Sequence, residues 1–175
     1  KRKELGVENV GAVIHGLPNL HGHLKGIKHF GKPVVVAINR FASDSDAELE
    51  AIAAFCRHRK VPFAITDHHA HGGEGALELG KAVVEAAKRK QSHFTPLYEL
   101  DVPVADKIKA VATKMYGAAD IVLSAAARRD VRIAESLGFG GLPICIAKTQ
   151  NSLSDKPHLK GQPTGFQLEV QGVKI

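Results

Sequence analysis

Residues 34–38 read Val-Val-Val-Ala-Ile, an unbroken apolar run that stops at Asn39. A run this short has no amphipathic face. It suits a strand covered on both sides, as in a parallel sheet with helices on each face. The next residues narrow the choice further. Asn39, Arg40 and Phe41 make a polar exit with an aromatic that no core pattern requires. Ser45 then stands three residues before Glu48, a capping-box spacing that opens an apolar-periodic stretch over 45–59. Strand, exposed loop and helix start therefore come in order within residues 33–46. In open α/β sheets, ligands bind at this carboxyl edge.

The same alternation recurs along the chain. A helix is expected over 18–29, with Pro18 in its first turn and Gly31 as its stop. Residues 61–66 read as a second strand and 67–75 as a polar loop. A helix over 76–89 turns Leu79, Val83 and Ala86 inward. Residues 91–103 are irregular. A helix over 104–116 carries Ile108, Val111, Ala112 and Met115 on one face. A strand is expected over 120–124, and a helix over 126–137 that ends at Gly138. A further buried strand is expected over 143–147, then a long loop over 148–165, then an alternating strand over 166–170. Strands alternating with helices predict an α/β fold, mainly a parallel sheet flanked by helices in the Rossmann-like manner.

The composition bounds the function classes. The 175 residues are 44% hydrophobic and 24% charged, enough apolar content for a packed core. The net charge of +6 suits anionic ligands, but the basic residues are scattered and not interleaved with aromatics. Nucleic acid is not an expected partner. No apolar run approaches the ~20 residues of a membrane span, and Lys1 opens no signal-peptide pattern. Cys56 and Cys145 have no CxxC partner; they read as small buried apolar residues, one on a helix and one in the strand over 143–147. The chain starts on Lys1 and ends on Ile175 just past a strand-like segment, so both ends read as cut.

Four features bear on chemistry. Residues 26–32 match G-x-x-x-x-G-K, but Pro33 stands where Ser or Thr belongs. The run also follows a helix and precedes a strand, the reverse of a phosphate loop. His68, His69 and His71 beside Asp67 have no zinc-site spacing and read as cleft lining; a metal-dependent hydrolase is the weaker reading. Gly72, Gly73 and Gly75 around Glu74 let the backbone pass close to a ligand before a helix. If the first two strands are neighbours, Asn39, Arg40, Gly72, Gly73 and Glu74 line one crevice. Lys148 and Thr149, after the strand expected over 143–147, suit a nucleotide or phosphate contact. No G-x-S-x-G is present, and no carboxylate pair is poised for acid–base work.

Several stretches together resemble the formate–tetrahydrofolate ligase (10-formyltetrahydrofolate synthetase) family. They are GLPNL, PVVVAINRF with SDAELE, HGGEGALELGKAVVEA, ADKIKAVATKMYGAADIVLSAAA and ESLGFGGLPICIAKTQNSLSD, in the family's order over about 17–170. The resemblance implies an ATP-dependent enzyme that makes formyl phosphate from formate and passes the formyl group to N10 of tetrahydrofolate. It implies that the ATP phosphate loop and the catalytic residues lie upstream, so that this stretch is a middle-to-C-terminal fragment of a larger multidomain enzyme and inactive by itself. Residues 1–150 would be an α/β folate-binding portion, and 151–175 a loop and strand leading into a further segment.

On the same resemblance the pterin ring is held between two aromatics. One is Phe41. The other is usually a Trp, and His69 stands at its position. Ile65 aligns with an apolar pocket residue, and Ala42 replaces a common proline. Lys148 and Thr149 would lie near the nucleotide, and no metal ligands are expected in this stretch. The implied substrates are tetrahydrofolate, ATP-Mg and formate, with a monovalent cation, in a cytoplasmic homotetramer. The competing expectation is a non-catalytic α/β binding or assembly module derived from the family.

Overall fold

The computed structural model describes residues 6–88, 93–147 and 152–175. The chain divides into two compact units, Lys1–Leu17 with Gly31–His93, and Pro18–Phe30 with Phe94–Ile175. It is an α/β fold. Its described strands pair in parallel, as the alternation predicts, in two two-stranded sheets.

In the first unit, β1 (Val36–Asn39) and β2 (Phe63–Thr66) pair in parallel, with Val36 opposite Phe63 and Asn39 opposite Thr66. The expected neighbourhood of the first two strands is therefore realised. The helix α2 (Asp46–His58) covers one face. Leu49 and Ala53 pack with Ile38, and Val36, Ile52 and Phe63 border them. The start of α2 is pinned as its sequence demands. Ser45 Oγ accepts the Glu48 N–H at 3.2 Å, and Glu48 Oε2 accepts the Ser45 N–H at 3.2 Å. Glu48 Oε1 also accepts the Asn9 N–H at 2.7 Å. Cys56 is fully buried.

After β2 the expected polar loop contains a four-residue helix α3 (His68–His71) and a 3-10 turn (Glu74–Ala76). The helix α4 (Leu77–Ala87) comes next and packs on β2. Its inner line is Leu79, Ala82 and Ala86. Val83, expected inward, is 49% exposed. Three successive turns, at 79, 82 and 86, already fill the buried stripe, and Val83 falls beyond its edge.

The helix α1 (Val10–Lys28) begins eight residues before the expected start, and Pro18 lies inside it. The missed signal is Asn9, whose Oδ1 accepts the Ala12 N–H at 2.9 Å as an N-cap. Proline inside a helix removes one N–H, here the partner of the Ile14 carbonyl.

In the second unit α5 (Val104–Tyr116), β3 (Asp120–Leu123), α6 (Ala125–Ser136) and β4 (Gln167–Val170) follow in order. Strands β3 and β4 pair in parallel, Asp120 opposite Gln167 and Leu123 opposite Val170. Ala112, Ala118, Phe166 and Leu168 form one core cluster. Val104, Ile108 and Val131 form another, bordered by Ile121, Leu123, Ile144, Ile146 and Val170.

The strand expected over 143–147 is absent there. Ile144 and Ile146 do point inward, so the alternation was real. A side chain, however, takes the pairing groups. The Tyr98 hydroxyl accepts the Ile144 N–H at 2.7 Å and donates to the Ile144 carbonyl at 3.3 Å. Cys145, expected buried, is therefore exposed on the outward side of this segment.

The ammonium of Lys107, fully buried, donates to the carbonyls of Gly140 at 2.5 Å and Leu142 at 3.1 Å. It fixes the 3-10 turn (Phe139–Gly141) that precedes residues 143–147.

Candidate functional site: the carboxyl edge of the first strand pair

Both strands of the β1–β2 pair end at one edge, because they run parallel and in register. The ladder extends one step past the strands, where the Arg40 N–H donates to the Thr66 carbonyl at 2.9 Å. Thr66 is buried, and its hydroxyl donates to the Ile38 carbonyl at 3.4 Å. The floor of the edge is thus tied across both strands.

Asn39 is the last residue of β1 and is exposed. The Arg40 guanidinium pairs with Asp46 Oδ1 at 3.0 Å, at the first turn of α2. Phe41 begins a tight turn. Its N–H donates to Asp44 Oδ2 at 2.8 Å, and its carbonyl accepts the Asp44 N–H at 3.0 Å. With both backbone groups held, the ring stands 62% exposed. A phenylalanine fixed in place yet unburied has no packing reason for its position.

Ile65 is the register partner of Ile38, so the two share a face of the sheet. Ile38 is 5% exposed and Ile65 41%. Asp67 follows β2, and His68, His69 and His71 form α3, all three exposed. Asp67 Oδ2 lies 3.0 Å from His71 Nδ1, which leaves the far ring nitrogen outward. Among the described residues, no three or more His, Cys, Asp or Glu side chains come together as a metal-binding group.

Gly72 has φ +57°, a backbone that a side chain rarely adopts. Gly73 carries ordinary helical angles, and Glu74 opens the 3-10 turn, exposed. The tightest point is Gly75. Its carbonyl accepts the Asp67 N–H at 3.0 Å, and a β-carbon there would collide with the Asp67 backbone.

Asn39, Arg40 and Phe41 thus leave the carboxyl end of β1, and the loop that carries His69, Gly72, Gly73 and Glu74 leaves the carboxyl end of its parallel neighbour β2. Lys148 and Thr149 lie outside the described residues. Three contacts escaped the sequence reading: Asp44 to Phe41, Asp46 to Arg40, and Asp67 to His71. The spacing of Asp67 and His71, four apart, was the available signal, but it needed a helix at 68–71 to bring them together.

In the second unit, an open hollow of about 380 Å³ is lined by Ala105, Asp106, Lys109, Ile121, Val122, Leu123 and Arg128. The Ile121 N–H is taken by Asp120 Oδ1 at 2.8 Å, and the Leu123 carbonyl by Arg128 at 2.7 Å. A further strand along that edge would use these same groups, so charged side chains block it.

The family model described as formate–tetrahydrofolate ligase matches residues 1–175. The chain belongs to this family. Formate–tetrahydrofolate ligases of three bacteria are similar to it. That of Maricaulis maris is 44% identical over 174 residues, that of Granulibacter bethesdensis 42% over 171, and that of Roseobacter denitrificans 40% over 174. The alignments cover 98–99% of this chain but only 30–31% of each relative. The chain thus spans about 31% of the length of the relatives it matches. Among its described residues, no helix is long and apolar enough to cross a membrane.

Proposed function

We propose that this chain is the folate-binding portion of an ATP-dependent formate–tetrahydrofolate ligase. The whole protein would convert ATP, formate and tetrahydrofolate to 10-formyltetrahydrofolate, ADP and phosphate through formyl phosphate. Catalytic residues would come from elsewhere in that protein. Residues 1–150 would form the folate-binding portion and 151–175 the link onward.

The observation that carries the reading is Phe41, an exposed ring held by two backbone hydrogen bonds at the carboxyl edge of a parallel pair. Open α/β sheets use that edge for ligands. A flat bicyclic ring would lie against Phe41, with the His69 imidazole on its other side and Ile65 as an apolar contact. Asn39, Arg40, Gly72, Gly73 and Glu74 would line the remainder. Lys148 and Thr149 would stand near the nucleotide, which enters with magnesium. A monovalent cation, a cytoplasmic location and a homotetrameric assembly complete the proposal.

Titration of tetrahydrofolate into the full-length protein tests it. Offset stacking on an aromatic contributes about 0.5–1.5 kcal/mol beyond burial, so Phe41→Ala weakens binding roughly 2- to 10-fold. His69→Ala weakens it by a similar factor. Unchanged affinity in both variants would sink the folate reading and leave the non-catalytic module.

A further inference from the structure

Between β1 and α2 the chain is fixed at both ends. The Arg40 N–H is held by the Thr66 carbonyl at 2.9 Å, one rung past the strands. Ser45 is the N-cap of α2, tied to Glu48 through both halves of a capping box. Residues 41–44 remain to be set. They form a turn in which the Phe41 carbonyl accepts the Asp44 N–H at 3.0 Å.

That one hydrogen bond leaves such a turn soft. Its second position is Ala42, whose φ is not fixed by a ring as a proline's would be. Ordering a turn costs backbone entropy, which some interaction must offset. Phe41, Ala42 and Ser43 are all exposed, so burial does not supply it. Asp44 supplies it instead. Its Oδ2 accepts the Phe41 N–H at 2.8 Å, so one residue closes the turn from both sides. A hydrogen bond to a carboxylate is roughly twice as strong as one between neutral groups. With its N–H and its carbonyl both held, Phe41 has a set φ and ψ, and they aim its Cα–Cβ bond. The neighbouring tie is weaker. The Arg40–Asp46 ion pair, at 3.0 Å, has side chains 42% and 89% exposed, and exposed pairs contribute little. It also ends on Arg40, one residue short of the ring.

We infer that Asp44 is a positioning residue of the folate edge: it presents the Phe41 ring in its stacking position before the ligand arrives. Asp44 acts through Phe41 and not on the ligand. A ligand that meets a closed turn loses no affinity to ordering it. Where the turn is closed in only a fraction of the molecules, the apparent dissociation constant rises by the reciprocal of that fraction. A turn closed in about a quarter of them binds about fourfold more weakly. The inference rests on the folate reading proposed above.

Tetrahydrofolate titrated into the full-length protein, in a double-mutant cycle with Phe41→Ala, tests it; thermal unfolding is the fold control. Asp44→Ala weakens binding about fourfold, and by no more than Phe41→Ala does, because opening the turn cannot cost more than removing the ring. Asp44→Asn keeps an acceptor oxygen for the Phe41 N–H and drops the charge, and its affinity stays within about twofold of the parent. In the Phe41→Ala background, Asp44→Ala costs less than about 1.5-fold further, since no ring is left to position. Phe41→Ala at parental affinity overturns the folate reading and this inference with it. A loss in Phe41→Ala with Asp44→Ala at parental affinity overturns the positioning role alone. An Asp44→Ala loss that is undiminished in the Phe41→Ala background overturns it too, as does an Asp44→Asn variant as weak as Asp44→Ala.

Discussion

The carbonyl of Gly75 holds the N–H of Asp67 at 3.0 Å, and the Asp67 backbone leaves no room for a β-carbon on Gly75. The chain leaves β2, makes one turn of helix through three histidines, and returns to its starting point. The loop beyond β2 is closed on itself, and it is this closure that holds His69 near the carboxyl edge.

Gly75→Ala therefore opens the loop. Forcing a methyl group into backbone costs about 1–3 kcal/mol. Urea unfolding shows that loss for Gly75→Ala and none for Gly73→Ala, whose φ of −61° and open surroundings accept a side chain.

Lys107→Met removes the ammonium that reaches into the turn at 139–142. The carbonyls of Gly140 and Leu142 lose a charged donor, and hydrogen bonds to charged groups contribute about 1.5–3 kcal/mol each. Replacing the ammonium with an apolar chain recovers part of this through its lower desolvation cost, so the net loss in urea unfolding is about 2 kcal/mol.

Tyr98→Phe is a one-atom test of why residues 143–147 form no strand. The hydroxyl answers both backbone groups of Ile144. Its removal leaves them without that partner, at about 1–2 kcal/mol. Amide hydrogen exchange at Ile144 speeds up in the variant, while exchange at Val122 in β3 does not.

Stability falls with acid in a direction set by Glu48 and Asp120. The N–H of Asn9, then that of Ser45, hold the Glu48 carboxyl below its ordinary value. The N–H of Ile121, then Lys109, do the same for Asp120. A carboxyl with a lowered folded-state pKa contributes stability above its unfolded value, about 4, and loses it as pH falls through the folded value. Thermal unfolding from pH 6 to pH 3 shows a smaller drop for Glu48→Gln than for the parent. Ser45→Ala loses about 1 kcal/mol at pH 7, the usual cost of an N-cap.

Local patterns determined much of this protein. The run at 34–38 gave β1, Ser45 and Glu48 gave the start of α2, and the glycines after His71 marked a tight passage before a helix. Each rests on residues within a few positions of one another, and short-range sterics and hydrogen bonds settle such features before any long-range contact forms. The family likeness was legible for the same reason, as a series of local words in order.

Tertiary structure decided what depends on residues far apart in the chain. The apolar alternation at 144 and 146 is the same whether another strand or the hydroxyl of Tyr98, 46 positions away, satisfies the backbone. The number of strands in each sheet turns on which edges find partners, and Asp120 and Arg128 close one of them. Val83 lies outside because Leu79, Ala82 and Ala86 already fill the stripe against β2. Periodicity reports which side of a residue prefers to be covered; only the folded chain decides what covers it.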